Sequence, residues 1–205
     1  MRLKNSISGS LKLLTVAVSL SLPEKRGWNF LQLTAALMFV VVSLNMPAAL
    51  SETLSVPGDF SNIQTAIDRA NSGDIVEVDI GTYRVNLVLR DNIDVRGVEA
   101  ARTFLVASDR DLPIVTADSI SNVLFTNFSL VESVDGISVI NSEDITIASN
   151  VFNSLSGTAL SVGVALDTDV INNVFRNNET AISRIGQATD IVNNIFSGNQ
   201  NAIAS

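Results

Sequence analysis

Carboxylates return in the second half of this chain at near-regular intervals: Glu143-Asp144, then Asp167-x-Asp169, then Asp190. Like charges brought close together repel, and a bound cation relieves them. If the interval is one structural repeat, Asp169 and Asp190 sit one repeat apart. A hard ion such as calcium, which takes about 6–8 oxygen ligands, is the cofactor this group would hold, through Asp144, Asp167, Asp169 and Asp190. The competing reading is a row of solvated turn carboxylates, since turns favour Asp in any case. Asp109, Asp111 and Asp118 read as the solvated face of a single loop. Acid–base work on a sugar needs two carboxylates at a set distance. No strand is expected to display two outward acids, and the late repeats offer only Arg176 and Arg184, so no catalytic residue is assigned on the test of mutual reach.

These residues ride on a repeat of about 22 positions. One column reads Leu130, Phe152, Phe175, Phe196, and two residues earlier stand Phe128, Asn150, Asn173 and Asn194. A second column reads Ile114, Ile137, Leu160, Ile182, Ile203, with Gly136, Ala159, Ala181 and Ala202 before its later members. Periods of this length indicate stacked architectures. Within each repeat, short runs such as Ile93-Asp94-Val95-Arg96 and Ile145-Thr146-Ile147 alternate with period two, which puts their apolar members on one face. Asn, Asp, Ser and Gly separate the runs, and the Asn-Gly turns of antiparallel hairpins are absent. The pattern predicts a parallel β-helix of roughly six coils from Ile75 to Ser205, on the order of 30 Å tall at ~4.8 Å per rung. Its interior is filled by ladders of like residues. Asn150, Asn173 and Asn194 are expected to stack at turns and satisfy buried donors and acceptors, with Phe152, Phe175 and Phe196 as the matching aromatic ladder.

Ahead of the coils, Ser61-Asn62-Ile63-Gln64 reads as a capping box with Ser61 at the cap. Ile63, Ala66, Ile67 and Ala70 then form one helical stripe. Residues 52–73 are therefore a lead-in and capping helix, and residues 74–205 the β-helix. Residues 1–51 differ in kind. Phe30 to Leu44 is almost unbroken apolar sequence, with Lys25-Arg26 before it and Ala48-Ala49-Leu50-Ser51 after it. That order describes a secretory signal peptide, with an N-terminal membrane anchor as the alternative. Five of the 13 basic residues and one of the 21 acids lie in this segment, so the remainder holds eight basic against twenty acidic residues. Such a surface repels phosphate backbones, which argues against a nucleic-acid partner. With no Cys or His in the chain, and every Met in the leader, disulfides and soft-metal sites are excluded from the body.

Ile63-Gln64-x-Ala66-Ile67, Gly73-Asp74-Ile75-Val76, Gly81-Thr82-Tyr83 and Asn86-Leu87 together resemble the N-terminal entry of right-handed parallel β-helix proteins of the pectin-lyase-like superfamily. Asn173-Val174-Phe175 and Asn194-Ile195-Phe196 are similar to their repeats. Ile80 stands where that group usually has Pro, and Val85 where it usually has an acid. The resemblance implies a right-handed coil; in the superfamily's lyases, calcium-binding acids are paired with an arginine base. The body of this chain is expected to be an exported or surface β-helix scaffold, non-catalytic, contacting polysaccharide or serving in adhesion. The alternative is a piece of a polysaccharide lyase or related carbohydrate-active enzyme whose catalytic coils lie beyond Ser205. Ala202-Ile203-Ala204-Ser205 ends inside a strand, so the β-helix is expected to be incomplete there and to self-associate through its last coil.

Overall fold

The computed structural model describes residues 50–183 and 189–204. The signal-peptide or anchor segment and Arg184 lie outside those residues, Leu50 and Ser51 excepted. Among the described residues the chain is an all-β parallel solenoid of about seven turns with one short helix. Every strand pair is parallel, and the strands form three sheets. The first sheet has seven strands, from Thr53–Val56 through Glu143–Ala148 and Leu166–Ile171 to Thr189–Val192. The second runs from Gly81–Val85 to Ile195–Ser197, and the third from Leu87–Val88 to Asn201–Ala204, with six strands each. Six coils follow Ile75, as the repeat length requires. The seventh rung is supplied by Thr53–Val56, within the segment read as a lead-in, which pairs in register with Ile75–Val78.

The last four coils turn their corners with left-handed backbone. Asn127, Ser149, Asn172 and Asn193 have φ of 65°, 56°, 58° and 57° where the chain passes from the first sheet to the second. Glu132, Ser154, Asn177 and Gly198 repeat the device at the far end of the second sheet's strands, with φ from 54° to 67°. Short polar residues tolerate this region best, because the side chain can bond locally. This explains why Asn and Ser punctuate every repeat. Gly136 heads the small column for a different reason: a Cβ there would stand 2.2 Å from the carbonyl oxygen of Ala159.

The core lies between the sheets. Phe152 pairs with Leu130 below and Phe175 above, and Phe175 pairs with Phe196. The Phe152 and Phe175 rings stack with centroids 4.6 Å apart, and those of Phe175 and Phe196 5.2 Å apart. The aliphatic column runs Ile137, Leu160, Ile182, Ile203, but its earlier member is Val115 rather than Ile114. Both residues are buried; the strand starts one position later than the sequence spacing implied.

The helix spans Ile63–Arg69 and buries Ile63, Ala66 and Ile67. Its cap is Asn62, whose side chain accepts the Thr65 N–H at 3.1 Å, so the expected Ser61–Gln64 capping box does not form. Gln64 is engaged elsewhere. Its Oε1 accepts the Val88 N–H at 2.9 Å and its Nε2 donates to the Val88 carbonyl at 3.1 Å. The third sheet begins at Leu87–Val88, and the amide of Gln64 stands in for the strand that would precede it. No described helix is long and apolar enough to cross a membrane.

Candidate functional site

The carboxylates come together on the outer face of the first sheet. Asp169 lies directly below Asp190, and Thr146 below Asp169. Asp144 and Asp167 occupy left-handed positions, φ 52° and 48°, in line with Asn122 at 55°. The alternation that buries Thr168 and Val170 turns Asp167 and Asp169 outward from one strand, contrary to the expectation that no strand shows two outward acids. Asn122, Asp144, Thr146, Asp167, Asp169 and Asp190 line one open hollow of about 350 Å³. Each of its lining side chains offers oxygen, the ligand a hard cation takes, and the Asn122 Nδ2 is engaged with Asn92. Among the described residues, however, no three acids converge as a metal ion would require. The hollow is a broad acidic trough rather than a cage.

The second acidic group divides. Asn86 holds the loop of Asp109 and Asp111: its Nδ2 donates to the carbonyls of Asp109, Leu112 and Pro113, and its Oδ1 accepts from Ser108 and the Asp109 N–H. Asp118 belongs instead to the corner between the third and first sheets, where it accepts from Ser119 Oγ and Asn141 Nδ2. Arg176 is exposed at the end of Val174–Arg176 in the second sheet, on a different face from the acids.

Asn150, Asn173 and Asn194 form a continuous ladder, buried at Asn150 and Asn173 and half-buried at Asn194. Each Oδ1 accepts an N–H one rung below, from Phe128, Asn150 and Asn173 at 3.0, 2.9 and 2.8 Å. Each Nδ2 donates to a carbonyl of Phe125, Ile147 or Val170. A second ladder escaped the sequence reading. Asn178 and Asn199 accept the N–H groups of Leu155 and Asn178 and donate to the carbonyls of Phe152 and Phe175. Its signal was present, since Asn173 and Asn178, like Asn194 and Asn199, bracket a Phe at a five-residue spacing. Together the ladders pin both ends of the strands that carry the Phe stack.

The outer face of the second sheet holds a feature the sequence did not flag. Phe104 projects outward from Thr103–Ala107, half-buried, with an open hollow on either side. One, of about 390 Å³, is lined by Thr82, Arg84, Val106, Val131, Glu132, Asn153 and Ser154. The other, of about 380 Å³, is lined by Ile80, Gly81, Thr82 and Arg102. Arg102 pairs with Glu99 at 3.6 Å.

Fold and faces define a parallel β-solenoid with an acidic trough on one outer face and an aromatic-floored groove on another. Compared with known proteins, the chain matches no family model, no curated protein and no solved structure.

Proposed function

We propose that this chain is an exported, surface-located β-solenoid scaffold that contacts polysaccharide and performs no chemistry on it. The observation that carries the reading is the groove on the second sheet. It has an aromatic floor at Phe104, and side chains able to donate and accept hydrogen bonds stand at its rim. Its hollows fall within the ~300–1,000 Å³ of small-ligand clefts. The acidic trough is read as a solvated turn face, with calcium as the ion to test against that reading. A right-handed coil related to the pectin-lyase-like superfamily is part of the proposal. Asn86 supports it, because the motif asparagine carries five hydrogen bonds that fix the following loop.

Retardation of the protein in native gels containing plant or microbial polysaccharides, with no release of reducing or unsaturated ends, is the expected result. Turnover of any polymer would replace the scaffold with the lyase alternative. Calcium is expected to leave the unfolding midpoint unchanged, whereas a rise that disappears in Asp169→Asn would establish a metal site. The strand edges of the last coil supply the remaining proposed partner, a second copy of this chain. Light scattering is expected to show mass rising with concentration, and a monomer at all concentrations would remove that partner.

A further inference from the structure

The strand Thr103–Ala107 departs from its own polarity at its first two residues. Thr103 is fully buried and its hydroxyl has no hydrogen-bond partner, while the neighbouring Phe104 stands outside. A one-residue slip would exchange the two faces. The slip is prevented by the in-register pairing of Gly81 with Thr103 and Tyr83 with Leu105, and Leu105 is itself fully buried. Leaving a buried hydroxyl unpaired is unfavourable, and so is exposing an aromatic ring. Departures from local consistency of this kind concentrate where a surface is used.

What surrounds Phe104 selects the ligand. Arg84 offers only donors, Glu132 only acceptors, and Asn153 and Thr82 offer both. None of these four side chains has an ion pair or side-chain hydrogen bond among the described residues, so their capacity is unspent. One cation and one anion on the same hollow leave no net charge for an ionic ligand. An anionic sugar would face Glu132, and it would also approach a body with twelve excess negative charges. A cationic ligand would face Arg84.

We infer that the Phe104 groove binds a neutral hexose or pentose polymer. One sugar ring lays its C–H face on Phe104, and its hydroxyls bond Arg84 on one side and Glu132 and Asn153 on the other. This rests on the polysaccharide reading above and gives it a location and a charge class.

The test is affinity gel electrophoresis of the full chain in neutral xylan, mannan and β-glucan, and in polygalacturonate. Retardation by at least one neutral polymer is expected, and none by polygalacturonate. Phe104→Ala should weaken that retardation by about tenfold or more, as loss of a central aromatic anchor does, and Phe104→Tyr should retain it. Glu132→Lys makes the hollow doubly cationic and should transfer preference to polygalacturonate, a gain that a misfolded variant cannot produce. Neutral-polymer binding that survives Phe104→Ala, or preference of the parent for polygalacturonate, overturns this inference and leaves the polysaccharide reading standing. No retardation by any polymer overturns both.

Discussion

The first and last described rungs of the solenoid are covered differently. At the N-terminal end, the core is closed by the helix Ile63–Arg69, with Ile63, Ala66 and Ile67 turned inward, although the strand Thr53–Val56 also has no described neighbour on its outer side. Gln64 completes the edge at Val88, and Arg90 donates to the carbonyls of Ile67, Asp68 and Ala70 at the helix end. At the other end the strands Thr189–Val192, Ile195–Ser197 and Asn201–Ala204 have no described neighbour on their outer side. The residues that would be core there, Ile191 and Phe196, are only half-buried, and Ile203 is 47% exposed. A rung with neighbours on both sides is core, and the same sequence pattern with one neighbour is surface. Position in the stack sets a residue's energetic weight as much as its type does.

The sharpest way to break this comparison is to truncate one aliphatic residue at each end. Ile67→Ala should cost about 2–5 kcal/mol, the range for a fully buried aliphatic that leaves a cavity. Ile203→Ala should cost less than about 1 kcal/mol, because its side chain is half in water already. Urea unfolding of the two variants measures both. Equal costs would mean that Ile203 is covered in solution, and would point to the second copy proposed for that edge.

The ladders sharpen the comparison at smaller scale. Asn173 is fully buried, and Asn173→Ala strands the Asn150 N–H and the Ile147 carbonyl, a loss of about 1–3 kcal/mol. Asn194 makes the same bonds one rung higher, but is itself only half-buried. Water can replace its amide, so Asn194→Ala should cost less than half as much. Hydrogen exchange at Asn150 and Asn173, the amides each variant leaves unpaired, would follow the loss directly.

The coil was legible in the sequence because it repeats. Phe152, Phe175 and Phe196 recur in register, and parallel stacking makes an identical interval equivalent to an identical place. What repetition does not cover was read less well. Gln64 fitted a local capping motif, and its partner at Val88 is 24 residues away, so only the closed first coil shows where it goes. Ile114 and Val115 are both apolar and both buried, and spacing alone could not choose between them. Phe104 lies before the regular repeats, next to the buried Thr103, where the rule that apolar residues face inward fails. The candidate groove was therefore the part least visible in advance. The acidic trough was visible as spacing but not as geometry, since convergence of carboxylates depends on corner backbone that no interval encodes.

The smallest expected effect concerns acid. Asp74 is buried and accepts the N–H groups of Glu52 and Asn71, which hold its carboxyl below the ordinary aspartate value, and Asp59 is lowered by the Ser55 N–H and hydroxyl. Both tie the capped end together: Asp74 joins the first rung to the end of the helix, and Asp59 closes the turn ahead of it. A depressed folded pKa contributes stability that is present in full above the unfolded value of ~3.9. That contribution is lost as pH falls through the folded value. The cap should therefore loosen in acid while the Asn ladders, which carry no titratable group, keep their protection. Hydrogen exchange at pH 6 and pH 3 is expected to show a selective rise at Glu52, Asn71 and Ser55. Asp74→Asn should produce the Glu52 and Asn71 part of that rise at pH 6, because an amide cannot accept both bonds as strongly as a carboxylate. Uniform loss of protection along all the coils at pH 3 would show that the cap and the stack unfold as one unit, and that the two ends differ in cover but not in local stability.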